Sequence, residues 1–298
     1  MARMIKAGPV PTPARRRPSV RRSLATLLAY ATLTAGALVF FVPFLWLVVT
    51  SLKQRNQIFT DPLIWIPDPI MWSNYARALT SPGFPYLRLL ANTLFYAVTS
   101  TLGMVLSSTV VAYAFARMRF RGRDLLFAIT LATMMLPGIV TLIPTYVLFR
   151  AFGWVGTYAP LVVPMWFGGA FNIFLLRQFM MTVPLDLSDA ARVDGAGDFA
   201  ILWRVMVPLI RPALIVVALF HFLYTWNDFM GPLIYLDEAA EAPLVLGLYT
   251  FRGRFGSSVE WNLMMAATMA VIAPIIVLFF AAQRYFIEGV ALTGLKGA

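Results

Sequence analysis

Residues 23–52 read SLATLLAYATLTAGALVFFVPFLWLVVTSL, thirty positions without a charge between Arg22 and Lys53. A helix needs about 20 apolar residues to cross the hydrocarbon core of a bilayer, so this stretch is long enough to span it with some tilt. Five more runs of the same kind follow: 89–116, 125–149, 151–176, 212–236 with Asp228 inside it, and 261–283. They predict an all-α polytopic membrane protein with six transmembrane helices, at about 24–50, 89–116, 125–149, 157–176, 212–236 and 261–283.

Composition agrees. Of 298 residues, 60% are hydrophobic and 12% charged. A soluble domain carries about 25% charged residues. Half that share leaves too little polar surface for a water-soluble globule, which excludes a cytosolic enzyme and a disordered chain. There is no cysteine, so there are no disulfides and no thiolate chemistry. A single histidine argues against a zinc site. The net charge of +11 is read as membrane orientation rather than nucleic-acid binding.

The basic residues give the orientation. The N-terminal tail, the connections after the second and fourth spans, and the C-terminus hold 17 Lys and Arg; the opposite connections hold 7. The positive-inside rule therefore puts both termini in the cytoplasm and loops 51–88 and 237–260 outside. The first span is too long for a signal-peptide core, and no small-residue cleavage site follows it. Residues 1–23 are rich in Pro and Arg and read as a disordered basic cytoplasmic tail that meets anionic lipid, ahead of a single permease domain over 24–298. The Pro- and Trp-containing loop 51–88 reads as an ordered interfacial cap, and 237–260 as an acidic loop with a turn around Gly253 and Gly256.

Several chemistries lack their residues. The three lysines, Lys6, Lys53 and Lys296, lie in no phosphate-binding G-x-x-x-x-G-K-[ST] loop. No H-E-x-x-H or G-x-S-x-G motif occurs. Asp228 is the one ionisable carboxylate within a span, whereas ion-coupled carriers use several buried carboxylates or a broken-helix ion site. No catalytic, cofactor or metal residues are assigned, and uphill transport would draw its energy from another subunit.

The connection after the fourth span, Pro184-Leu-Asp-Leu-Ser188-Asp189-Ala190-Ala191-Arg192-Val193-Asp194-Gly195-Ala196-Gly197, carries the most information. Ser188 is a candidate N-cap with Asp189 in the first turn, and Gly195 or Gly197 a candidate stop. That predicts a helix of about two turns whose Ala190, Ala191, Asp194 and Gly195 share a face. So short a helix is unstable alone in water. It either docks on a partner or packs back on its own chain.

Here the chain resembles a family. Asp189-Ala190-Ala191-x-x-Asp194-Gly195-Ala196, followed by Val205-x-Val207-Pro208-Leu209 and Pro212, resembles the "EAA" loop of ABC-importer permeases, with Asp189 in place of the usual Glu. Leu136-Pro137-Gly138 with Pro144, and Trp226-Asn227-Asp228-Phe229 with Pro232-Leu233-Ile234, resemble the third and fifth spans of sugar permeases. Gln283-Arg284-Tyr285-Phe286, Gly289 and Gly294-Leu295-Lys296-Gly297 resemble the C-terminus of the maltose-type permease. The resemblance implies a bacterial or archaeal plasma-membrane permease for a sugar or sugar-like solute. It implies a second permease as heterodimer partner, two ATP-binding cassette ATPases that bind the ATP, and an extracytoplasmic solute-binding protein. It also implies that loop 184–212 couples ATPase closure to alternating access through Asp189, Ala190, Ala191, Asp194, Gly195 and Pro208. The tail Thr293–Ala298 reads either as a further ATPase contact or as a frayed terminus. The rival readings are a channel or carrier acting alone, which would transport without ATP, and an assembly subunit, which would not transport.

Two features admit two readings each. Pro137 and Pro144 either help line a cavity or make a static kink in the third span. In the fifth span, His221, Tyr224, Thr225 and Asp228 fall at i, i+3, i+4 and i+7, with Asn227 beside them. A polar stripe on an apolar helix must face protein or a water-filled cavity. It either touches solute or ties helices together around a gate.

Overall fold

The computed structural model describes residues 20–254 and 259–294. The basic tail lies outside the described residues except for its last four positions, where a helix has already begun. The chain divides into two compact units, Met1–Val48 and Val49–Ala298. The first is described through α1 (Val20–Ser51), an apolar helix whose Thr26–Ser51 segment is long enough to cross a membrane.

Among its described residues the second unit has helices and no strands. Its elements are α2 (Ser73–Leu79), α3 (Tyr86–Arg117), α4 (Arg123–Thr133), α5 (Gly138–Ala151), α6 (Ala159–Val162), α7 (Ala170–Thr182), α8 (Leu185–Val193), α9 (Asp198–Ile201), α10 (Val207–Leu209), α11 (Arg211–Trp226), α12 (Met230–Tyr235), α13 (Leu244–Arg254) and α14 (Trp261–Gly294). Four helical segments of the described residues are long and apolar enough to span alone; counting each bent pair as one span gives six.

The third span departs from a single bent helix. Its halves α4 and α5 meet at 98°. Pro137 stands between them in an extended conformation that cannot continue the helix, whereas Pro144 sits inside α5. The fourth span is interrupted and extended relative to the expected 157–176. A tight turn over Val163–Phe167 and Gly168 at φ +86° separate α6 from α7, which continues to Thr182. Arg177 does not end it, because its guanidinium lies 4.2 Å from the Phe127 ring centre and its Nε donates to the Phe115 carbonyl. The fifth span, expected over 212–236, breaks at 227–229 between α11 and α12.

α3 runs through the centre of this unit. Its buried residues include Ala97, Ser100, Gly103, Met104, Ser108, Thr109 and Ala112. Lipid gives helices no hydrophobic drive to associate, so small residues that admit close packing carry the interface. A Cβ on Gly103 would lie 2.5 Å from the Trp166 ring, and the fourth span's interruption rests there. Backbone freed within a membrane must find partners inside the protein. The Gly169 N–H donates to Ser108 Oγ at 3.3 Å, and Ser107 Oγ donates to the Met165 carbonyl at 3.4 Å.

Two cores flank α3. At its N-terminal end Phe84, Leu89, Trp226, Leu244, Phe251, Leu263 and Ala266 pack together. At its other end Tyr113, Phe115, Leu176, Met180, Ile201, Met206 and Val217 do so. The first core explains the cap: Asn74 Nδ2 donates to the Ser51 and Lys53 carbonyls at 2.9 Å, and its Oδ1 accepts from Asn262 at 3.3 Å. The acidic segment was expected as a loop, yet it contains α13, whose buried Leu244 and Phe251 give it an apolar face. Gly253 lies inside that helix, and Gly256 lies outside the described residues.

Candidate functional site

Two sites follow from the sequence, at opposite ends of α3. The first is the connection built on α8. The helix starts at Pro184, earlier than the Ser188 cap expected from the sequence. Pro184 has a fixed φ near that of a helix entrance, and Asp186 rather than Asp189 occupies the first turn. Ser188 is buried inside the helix instead of capping it. The stop is Gly195, at φ +84°. The Gly195 N–H donates to the Arg192 carbonyl at 3.0 Å and the Ala196 N–H to the Ala191 carbonyl at 2.9 Å, the paired bonds of a Schellman ending.

The expected shared face splits. Asp189, Ala190, Asp194 and Gly195 are exposed, whereas Ala191 turns inward and packs on the core with Ala196. Open space surrounds Gly195: a Cβ there would meet nothing of this chain within 4 Å. Leu185, Val193 and Phe199 stand exposed nearby, at 61%, 88% and 73%. Large apolar side chains left bare outside the spans mark a surface that another protein covers.

After α9 the chain makes one wide π turn over Leu202–Met206 before α10. Pro208 has no N–H for an ordinary helical bond and is exposed on α10. Pro212 follows in the first turn of α11, and the two helical segments meet at 82°.

The second site is the fifth span's break. His221 and Thr225 are buried against neighbouring elements, while Tyr224 is 67% exposed with its ring stacked on His221 at 6.1 Å. Asn227 caps its own helix, its Nδ2 donating to the Leu223 carbonyl at 2.7 Å. The stripe therefore does not stay on one helical face as far as Asp228, because α11 ends first. Both Asp228 oxygens are engaged: Oδ2 accepts from the Tyr96 hydroxyl at 2.8 Å, and Oδ1 from the Gly231 N–H at 3.1 Å. Gly231 is needed there, since a Cβ would sit 2.5 Å from Asp228 Oδ2 and 2.8 Å from Leu161. The carboxylate thus joins α3, the start of α12 and, through packing, α6.

Sequence reading missed Tyr96, Tyr113, Arg117 and Asp198. Tyr113 donates to Asp198 Oδ1 at 3.2 Å, and Arg192 reaches Asp189 at 2.9 Å and Asp198 at 3.2 Å. The i, i+3 pairing of Asp189 with Arg192 was legible; the other partners lie far apart in sequence. The C-terminal contact expected of Thr293–Ala298 lies outside the described side chains.

Residues 103–291 match the family model described as "Binding-protein-dependent transport system inner membrane component". The chain is 30% identical over 273 residues to the sn-glycerol-3-phosphate transport system permease protein UgpE of Yersinia pestis bv. Antiqua (strain Antiqua), covering 90% of this chain and 96% of that one. It is 28% identical to the arabinooligosaccharides transport system permease protein AraQ of Halalkalibacterium halodurans, covering 93% of this chain and all of that one. A solved chain of a bacterial ABC transporter involved in the import of the acidic polysaccharide alginate superposes with TM-score 0.79 at 25% identity, covering 92% of this chain and 100% of that one.

Proposed function

The chain belongs to the family of binding-protein-dependent transport system inner-membrane components, and on that premise we propose that it passes a sugar or sugar-like solute inward, driven by ATP hydrolysis on partner subunits. It is a multi-pass permease of the inner membrane. In this reading it pairs with a second, different permease above two ATP-binding cassette ATPases, receives solute from an extracytoplasmic binding protein, and performs no catalysis of its own. Sugar chemistry is supported by relatives that carry sn-glycerol-3-phosphate and arabinooligosaccharides.

The observation that carries the coupling role is α8 itself. It is a short rigid helix, sharply ended at Gly195, with small and apolar side chains left bare outside the spans. The ATPases would seat on the exposed Asp189, Ala190, Asp194 and Gly195, while Ala191 anchors the helix to the core. Pro208 and Pro212 fix where the segment turns into α11. At the other end, Asp228 acts as a brace of the interrupted span, since both its oxygens are held by this chain, and Tyr224 is left free for solute.

The test is assembly and uptake. Tagged permease should retain both ATPases through purification. Liposomes holding the full complex should accumulate a labelled sugar or glycerol phosphate only with the binding protein and ATP present. Uptake at the same rate without ATP would establish a carrier instead.

A further inference from the structure

The segments on either side of α8 are tied to one face of α3. At its N-terminal side, Arg117 Nη2 donates to the carbonyls of Met180 and Val183, the latter immediately before Pro184. At its C-terminal side, Arg192 forks between Asp189 of α8 and Asp198 of α9. The same Asp198 Oδ1 accepts the Tyr113 hydroxyl at 3.2 Å. Tyr113 and Arg117 are four residues apart and so share a face of α3. Exposed ion pairs contribute little to stability. Arg192 and Asp198 are about half exposed, at 43% and 46% of their side chains. A network of this kind sets the position of α8 more than it holds the fold together.

We propose that Tyr113 and Arg117 are positioning residues that hold the segments flanking α8, the end of α7 and the start of α9, so that displacement of α8 is delivered to α3 as a rigid rod. The far end of that rod carries Tyr96, about 25 Å along the helix from Tyr113. Tyr96 holds Asp228 at the fifth span's break. One helix therefore joins the coupling segment to the interruption of the fifth span without relying on the connection over 194–197. Arg192 and Asp198 are the removable link: neither belongs to the exposed surface of α8 assigned to the ATPases, and both face α3. This inference rests on the reading that α8 docks on ATPases.

The experiment uses the full complex, tagged on the permease and reconstituted in nanodiscs. A cysteine replaces the exposed Met230 at the start of α12 as a reporter near the break; the chain has no other cysteine. Its reactivity toward a maleimide is measured with and without ATP and vanadate. In the unaltered network, trapping should change the reactivity. Tyr113→Phe and Asp198→Asn should each shrink that change by at least about fivefold, the low end of ordinary coupling between sites, with both ATPases still bound. Arg117→Met removes the donor of both bonds and should do the same. A full response in Tyr113→Phe and Arg117→Met with ATPases bound overturns the inference and leaves the docking reading standing. Failure of the unaltered permease to retain ATPases overturns both.

Discussion

At the residue scale, the interior of this permease is decided by atoms too close to allow anything larger. Gly103 is the sharpest case, because its missing Cβ makes room for Trp166. Gly103→Ala should lower stability by about 1–3 kcal/mol, the usual cost of overpacking, measured by thermal unfolding in detergent. Gly138→Ala, where a Cβ meets nothing within 4 Å, should stay within about 0.5 kcal/mol of the parent. Equal losses at the two positions would show that Trp166 yields freely. Asp228 makes a different prediction. Tyr96→Phe leaves one carboxylate oxygen without its donor and should cost about 1–3 kcal/mol. Combined with Asp228→Asn, the two losses should be less than additive, because both remove the same bond. In the reconstituted transporter, Asp228→Asn should reduce assembly or ATPase rate and leave solute preference unchanged. Altered preference in Asp228→Asn, but not in Tyr224→Phe or Thr225→Ala, would reassign Asp228 to solute contact.

At the scale of elements, α8 depends on its glycine stop. Gly195 sits at φ +84°, where side chains are strained, yet open space surrounds it. Strain and collision with a partner can therefore be separated. Asparagine tolerates this conformation, so Gly195→Asn should keep most ATP-driven uptake. Gly195→Glu should lose uptake while inserting normally, because the added bulk reaches a surface outside this chain. Matching losses in the two variants would trace the effect to backbone strain. The glycine stop was legible because positive φ selects its residue type locally, and the six apolar runs were legible because bilayer thickness imposes their length. The start of α8 was misread because Ser188 and Pro184 offer competing local signals, and the proline's fixed φ prevails. The breaks in the fourth and fifth spans were hidden for another reason. The bonds that hold them, from Ser107 and Ser108 to the fourth span and from Tyr96 to Asp228, act across long sequence distances, and hydropathy does not register such pairing. α13 was hidden likewise, since its apolar face has meaning only against α3 and α14.

At the scale of the molecule, the connections sort themselves between the two ends of α3. Near its N-terminus, Asn92 donates to the carbonyls of Ala240 and Ala242, and Thr93 accepts from the Leu244 N–H. Tyr158 donates to the Glu241 carbonyl there, and the Gly156 N–H to that of Tyr235. Near its C-terminus, Arg117 joins the end of α7, and Tyr113 joins α9. Loops 51–88 and 237–260 therefore lie on one side of the spans and the Arg117–Arg123 and α8 connections on the other. Charge predicts which side is cytoplasmic: the end with α8 carries the arginine-rich connections, and lysine and arginine are retained inside. Because the chain has no cysteine, single cysteines report cleanly. Asp68, Arg121 and Glu238 are all exposed, so burial does not distort the comparison. In intact cells, Asp68→Cys and Glu238→Cys should react with a membrane-impermeant maleimide, and Arg121→Cys only after lysis. Labelling of Arg121→Cys alone in intact cells would invert the orientation and place α8 away from ATP, which the proposed coupling cannot survive.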